Sequence, residues 1–320
     1  MKGRPSLIPV CAPPRIGFVA VGRAVALAAL MLTAVRTVAQ SVEEYPLWPA
    51  KETTAVAEPE QITYQPQGLD DRGFNRVVRN VSVPTLTVYH PAQAAHRGAA
   101  LVVIPGGAYH GIVIDREGHA LARYFQAQGL TVGVLKYRLP KPDTFAAGLP
   151  APQQDALEAI RLMRRRAHDW GMTANRIGVL GASAGGHLAG SVAAFGRQAD
   201  GSRPDFVVLL YPVVTMSPPW AHEGSRRNLL GADATPQRLR EFSLEHAVQA
   251  GWPPFFLTHA RDDKTVPIEN SELLAAALSR NGVNAELLAV VTGGHGFSLG
   301  RGESSARWKN RFLDWLDVQP

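Results

Sequence analysis

From about residue 100 onward the chain repeats one pattern, a short and nearly continuous apolar run followed by a longer segment of helical period. The runs are residues 100–104, 130–136, 176–180, 206–211, 254–259 and 285–291, all rich in Val, Leu and Ile. Strands that alternate apolar with polar residues cover a core on one face only. Runs without alternation are what strands buried on both faces require. Helical periods lie between them, at 117–128, 152–168, 185–195 and 269–280, with a last one near 304–316. The alternation predicts an α/β chain: a mostly parallel central sheet flanked by helices on both faces. In such sheets a ligand site lies beyond the carboxyl ends of the strands. Residues 77–90 alternate β-branched side chains and predict edge strand pairing, with Pro84 at a bulge or edge. Residues 212–251 are too long for a simple connection. They carry Pro218, Pro219, Trp220 and a helical patch near 235–247, and predict an excursion over the site.

The strongest chemical signal is Gly181-Ala182-Ser183-Ala184-Gly185, which closes one apolar run and opens a helical segment. A serine on a sharp strand-to-helix turn needs small neighbours, because the backbone there is strained and closely packed. Such a turn raises the hydroxyl above the sheet and aims a helix N-terminus at a developing anion. Serine alone is a weak nucleophile and needs a base, itself oriented by an acid. Both can come from later strand ends along the chain. The run 254–259 leads into Asp262-Asp263, and the run 285–291 leads into Gly293-Gly294-His295-Gly296-Phe297. The expected triad is Ser183, one of the adjacent pair Asp262 and Asp263, and His295; the other aspartate of the pair is expected to brace the loop. His187, one turn past the serine, is expected to bond locally, and His259, inside a strand, to sit in the core.

Pro105-Gly106-Gly107-Ala108-Tyr109 follows the run 100–104. Two small, flexible residues there allow backbone amides to face a tetrahedral intermediate. The expected oxyanion donors are Gly106, Gly107 and Ala184. Tyr109 is expected to border the pocket. On the excursion, Trp220, Arg226 and Asn228, with Trp252 just beyond it, have the aromatic faces and multiple donors that suit sugar rings and hydroxyls.

Several stretches together resemble bacterial α/β-hydrolases of the acetyl-xylan esterase-like and acetyl esterase kind. They are P-G-G-A-Y, the Glu117-Gly118 pair, V-L-K-Y-R-L, N-R-I-G-V-L-G-A-S-A-G-G-H-L-A, G-S-R-R-N-L-L-G, D-D-K-T-V-P-I-E-N-S and G-G-H-G-F, spread over most of residues 77–317. The resemblance implies the α/β-hydrolase fold, a serine esterase with the triad Ser183, Asp263 and His295, no metal or cofactor, and short acyl esters, often acetyl groups on plant-wall sugars. The chain departs from the better-known H-G-G-G enzymes at Pro105 and Ala108. A serine peptidase of the prolyl oligopeptidase kind shares the triad order, but usually carries a large extra domain for which this chain has no room. A non-catalytic binding relative would usually have lost a triad member.

The formal charge of +6 comes largely from the first 39 residues, which hold five basic residues and no acidic one; the remainder has 28 basic against 27 acidic. That body has no excess of positive charge to hold a nucleic acid. Arg164-Arg165-Arg166 reads as a solvated face late in a helix. Residues 24–35 form an apolar run of twelve, preceded by basic residues and followed by Thr37-Val38-Ala39. It is short for a bilayer span and predicts a secretory signal over 1–39, cleaved before Gln40, giving a secreted or periplasmic protein. The single cysteine, Cys11, lies upstream of that run, so no disulfide framework or thiol nucleophile is expected in the mature chain. The expected organisation is then an extended lead-in over 40–76 and one catalytic domain over 77–320, acting on a small-molecule or oligosaccharide ester with no stable membrane insertion after cleavage.

Overall fold

The apolar runs become strands of a single large sheet. The computed structural model describes residues 41–49, 58–66, 68–92, 95–141 and 149–319, so the segment read as a signal lies outside the described residues. Six strands run parallel: β5 (Ala100–Ile104), β7 (Thr131–Lys136), β8 (Ile177–Ala182), β9 (Val207–Leu210), β10 (Phe255–Ala260) and β11 (Ala285–Val290). Every residue of β5, β8, β9 and β10 is buried, as the absence of alternation required. Two more strands complete the sheet, β1 (Ser41–Pro46) and β4 (Thr85–His90), in the order β1-β4-β7-β5-β8-β9-β10-β11. Only β4 runs against the rest, antiparallel to both β1 and β7.

The amino-terminal part differs from the sequence reading in two ways. Segment 77–90 divides at Pro84. Its first part becomes β3 (Arg76–Arg79) of a separate three-stranded sheet with β2 (Gln61–Tyr64) and β6 (Ile112–Val113), and its second part becomes β4. Nor is β4 an edge, because β1 from the expected lead-in pairs along its full length. Residues 42–44 of β1 are exposed, and the strand is held mainly by its ladder, with Tyr45 alone packing against the core and Trp170. It satisfies the backbone groups that β4 would otherwise leave open, which is the usual way an edge is managed.

Helices α1 (Ala120–Ala127), α2 (Ala151–Arg165), α3 (Ala184–Phe195), α7 (Glu269–Arg280) and α9 (Trp308–Asp317), the last preceded by the short α8 (Glu303–Ala306), flank the sheet. Helices α1 and α9 meet through an aromatic cluster. Phe125 packs edge-on against Phe312 at 5.4 Å, Phe256 lies 5.8 Å from both Phe312 and Trp315, and Trp308 lies 5.8 Å from Phe125. Such pairs each add about 0.5–1.5 kcal/mol beyond their buried area. The arginine run is not a uniform solvated face. Arg165 and Arg166 are about half exposed, but Arg164 donates to the carbonyls of Ala174, Gly201 and Arg203 and pairs with Asp205 at 3.1 Å.

Residues 212–251 carry α4 (Glu223–Leu230), α5 (Pro236–Glu241) and α6 (Leu244–Ala247), the first of which the sequence reading did not foresee. One buried side chain pins the start of this excursion. Asn270 of α7 accepts from the Val214 and Thr215 N–H groups at 2.9 and 3.2 Å, and donates to the Trp220 and Pro267 carbonyls at 2.9 and 3.1 Å.

Candidate active site

Four turns at the carboxyl ends of parallel strands supply the site: 105–109 after β5, Ser183 after β8, 261–266 after β10 and 291–298 after β11. Ser183 sits at φ 55°, ψ −121° between β8 and α3. A non-glycine residue in this region costs about 1–3 kcal/mol and persists only when its surroundings over-determine it. They do here. The Ser183 N–H donates to Leu210 O at 3.0 Å, and its carbonyl accepts from Gly186 and Val213 at 2.9 and 3.0 Å. A Cβ on Gly185 would collide with the carbonyls of Ile104 and Pro105, and one on Gly181 with the carbonyl of Gly185. The small residues are therefore a steric requirement of the turn.

The structure brings the three expected side chains together. His295 Nε2 lies 2.9 Å from Ser183 Oγ, and His295 Nδ1 lies 2.7 Å from Asp263 Oδ2. A carboxylate can only accept, so Nδ1 carries the proton and Nε2 is free to accept from the serine hydroxyl. Asp263 Oδ1 is held by the Thr265 and Val266 N–H groups at 2.9 and 3.0 Å. Burial pushes the Asp263 carboxyl up. The hydrogen bonds from His259 and His295, the charge of His295 and the Val266 N–H together outweigh it and hold the group well below the usual carboxylate range. Asp262 faces the backbone instead, accepting from the Gly293 and Gly294 N–H groups at 3.0 and 2.8 Å. It braces the turn that carries His295, while its neighbour meets the imidazole.

The other two histidines are buried and bonded. His187 donates from Nε2 to Phe242 O at 2.7 Å and accepts the Tyr109 hydroxyl at Nδ1, 2.8 Å away; burial pushes its pKa down to about 4. His259 bonds Ser271 and the Val266 carbonyl, with Nε2 3.3 Å from Asp263 Oδ2, so it backs the acid from behind. A third, His222, caps α4 by accepting from Ser225 N–H. Burial, and after it the charge of His295, lower its pKa against a smaller opposing effect of Asp263, which sets this end of the excursion beside the triad.

The loop after β5 corrects one expected donor. Gly106 N–H is donated to Glu117 Oε2 at 3.0 Å, so it has no hydrogen left for an oxyanion. The carbonyls along the loop are tied back one after another. Pro105 O accepts from Tyr137 Oη at 2.9 Å, Gly106 O from Val113 N at 3.0 Å, Gly107 O from His110 and Gly111 N at 3.0 and 3.1 Å, and Ala108 O from Asn228 Nδ2 at 2.8 Å. In a trans peptide the N–H points opposite to the carbonyl before it. The Gly107 and Ala108 amides therefore face away from those anchors, and among the described residues neither meets an acceptor.

Two of the three expected substrate contacts are used by the protein itself. Tyr109 is only 2% exposed and its ring packs edge-on to His187, so it supports the loop rather than bordering a pocket. The Asn228 amide group holds Ala108 O. Arg226 is a quarter exposed on α4, 3.9 Å from Glu223. Trp220 is exposed on the excursion, whereas Trp252 stacks on Phe255 at the amino end of β10, the end opposite Asp263. The sequence reading gave no role to Glu117 or Tyr211. The Glu117-Gly118 pair among the stretches that carry the resemblance, and a tyrosine closing a buried strand, were the available signals.

A serine on a strand-to-helix turn, followed along the chain by an aspartate and a histidine that reach it from neighbouring strand ends of a parallel sheet, defines the α/β-hydrolases. Within them the chain belongs to the BD-FAE family, which matches residues 86–278. It is 31% identical over 207 residues to an acetylxylan esterase of Xylanibacter ruminicola, covering 63% of this chain and 42% of that protein. It is 33% identical over 236 residues to endo-1,4-beta-xylanase B of Butyrivibrio fibrisolvens, covering 71% and 36%. The chain thus spans about two fifths of the length of these curated relatives. Among solved structures it is similar to an acetyl ester-xyloside bifunctional hydrolase from Caldicellulosiruptor lactoaceticus, with a TM-score of 0.65, 32% identity, and 86% of this chain and 93% of that one covered.

Proposed function

We propose that this chain hydrolyses carboxylic esters of short acyl groups, acetyl foremost, on xylose-based saccharides, by way of an acyl-enzyme on Ser183. The observation that carries the reading is the hydrogen-bonded chain from Asp263 through His295 to a serine held at positive φ. His295 Nε2 takes the hydroxyl proton as Ser183 Oγ forms its bond to the ester carbon, and the carbonyl electron pair moves onto oxygen. The amides of Gly107, Ala108 and Ala184 receive that oxyanion. Collapse breaks the bond to the alcohol oxygen, which takes the proton from Nε2. Water then adds by the same route, and the acid leaves. Asp263 keeps Nδ1 protonated and stabilises the imidazolium that forms between steps.

Support for the alcohol moiety comes from the names of similar proteins, one an acetylxylan esterase and one an acetyl ester-xyloside hydrolase. On the excursion, Arg226 and the exposed Trp220 are the side chains proposed to meet the sugar. Export is proposed on the leader sequence alone, with the mature chain starting near Gln40, which mass spectrometry of the exported form would check.

The test is a substrate panel run on the wild type and Ser183→Ala. Acetate is expected from acetylated xylo-oligosaccharides, and acetyl esters should exceed octanoyl esters in kcat/KM, since each methylene that fails to fit costs about 1–3 kcal/mol. One equivalent of paraoxon should abolish activity and label Ser183. Ser183→Ala should lose about a thousandfold or more in kcat while staying folded. Near-normal turnover in that variant ends the reading. Octanoyl preference with no acetate from sugars would remove the substrate part of it.

A further inference from the structure

We propose that Glu117 is a positioning residue that locks the oxyanion loop and the histidine loop into one geometry, an inference that rests on the esterase reading above. Its side chain is 3% exposed. One carboxylate oxygen, Oε2, accepts the Gly106 N–H at 3.0 Å; the other, Oε1, accepts the Tyr211 hydroxyl at 3.1 Å. That hydroxyl in turn accepts the Ser298 N–H at 3.1 Å, and the Tyr211 ring packs edge-on to the His295 imidazole at 5.0 Å and to Phe297 at 4.6 Å. A single carboxylate therefore reaches the turn after β5 directly and the turn after β11 through one tyrosine. Arg116 repeats the link. Its carbonyl accepts Ser298 Oγ at 2.5 Å, and its guanidinium stands 3.7 Å from Glu117 Oε1.

The local fold is built around this placement. Residues Asp115–His119 form a single turn of π-helix, a form rare elsewhere and frequent at functional sites. Asp115 fastens the turn to β3, accepting from the Arg76 N–H at 2.6 Å and from its guanidinium at 2.7 Å. Gly118 lets it press against the oxyanion loop, since a Cβ there would come within 3.1 Å of Pro105 Cγ and 2.8 Å of Val134 Cγ1. Removing a carboxylate from water is unfavourable unless its partners compensate, and an apolar residue would fill the space without that requirement. What an apolar residue lacks is direction. The peptide plane joining Pro105 and Gly106 is gripped at both ends, by Tyr137 on the carbonyl and Glu117 on the amide. With that plane fixed, the next two amides are aimed.

The experiment compares wild type, Glu117→Gln and Tyr211→Phe on p-nitrophenyl acetate, with active sites counted by paraoxon titration. It also measures affinity for a boronic acid that mimics the tetrahedral intermediate. Glutamine keeps the shape but turns an –NH2 toward one of two donors. The expected result for Glu117→Gln is a kcat lower by about 100-fold per titrated site, near the loss seen on removing an oxyanion donor. KM should stay within about threefold, and boronate affinity should fall in parallel with kcat. Tyr211→Phe should lose about tenfold in kcat. Normal kcat per titrated site in Glu117→Gln, or a loss confined to the number of titratable sites, overturns the proposal. Should that variant fail to fold, unchanged kcat in Tyr211→Phe overturns it. A wild type that cleaves no ester removes the esterase reading and this proposal with it, a failure distinct from an active wild type whose variants are equally active.

Discussion

The serine turn and the histidine turn hold their side chains by opposite means. At the serine turn the backbone is wedged. Gly181, Gly185 and Gly186 each lie where a Cβ would strike a neighbouring group, and Ser183 is 7% exposed. At the histidine turn the packing is looser, with Gly293 and Gly296 close to neighbours but only at 3.0 Å or beyond. Nothing lies near a Cβ on Gly294, although its φ is +60°, and the His295 side chain is 21% exposed. The turn is held by hydrogen bonds instead: Asp262 on the Gly293 and Gly294 amides, Ser304 Oγ on the Val291 amide at 3.1 Å, and Tyr211 on Ser298. A nucleophile fixed by packing tolerates no change of shape. A base fixed by polar contacts tolerates changes of shape but not changes of charge or partner.

The sharpest way to break the contrast is to change a partner at constant shape. Asp263→Asn should reduce kcat by about 10⁴, because the amide no longer selects the tautomer with the proton on Nδ1. Asp262→Asn, which disturbs only the brace, should cost about tenfold. Steady-state kinetics decide it, and a larger loss from Asp262→Asn would reverse the two roles. Next comes a change of shape at constant charge. Gly185→Ala should destabilise the fold by at least about 3 kcal/mol through the clash with the β5 turn, whereas Gly294→Ala should cost about 1 kcal/mol for its positive φ alone. Urea unfolding gives both, and equal losses would erase the distinction.

The smallest effect uses acid to separate the two turns. His187, below the serine, has a pKa of about 4 when folded and an ordinary value near 6.5 when unfolded. The unfolded chain binds that proton first, so this contribution is complete above pH 6.5 and is lost as pH falls toward 4. Between pH 6.5 and 5 it amounts to about 2 kcal/mol. His119, also pushed down to about 4 by burial, adds to the slope. Asp263 behaves differently. Its depressed carboxyl contributes above the unfolded value near 4 and is lost only below it. His90, His96 and His222, also lowered by burial, add to the same slope, so His187→Gln should make the loss of stability between pH 6.5 and 5 shallower without abolishing it, and an unchanged slope would show that the proton goes elsewhere.

What could be read from sequence follows the same division. The buried strands announce themselves because a strand covered on both faces must be apolar throughout, and β5, β10 and β11 lie within a residue of their expected limits. The triad was legible because its order along the chain is fixed by which strand ends adjoin. β1 was not, since in S-V-E-E-Y-P only Tyr45 packs against the core and the rest of the strand is held by the open ladder of β4. The engagement of Gly106 was equally hidden. Its partner lies eleven residues on and becomes visible only when the π-turn folds back. Tyr109 and Trp252 misled for a related reason: an aromatic residue near a motif can face the core as readily as a ligand, and its composition does not say which.

Asn270 has a consequence for how the site meets its substrate. Three hydrogen bonds to one buried amide bolt the root of the excursion to α7, the helix that begins just after the acid loop. The far side is fastened to the oxyanion loop by Asn228. A segment tied down at its root and again on α4 resists swinging as one piece, as a lid opened by an oil–water boundary would have to. Turnover should therefore climb smoothly with dissolved ester and show no jump at the concentration where droplets or micelles appear.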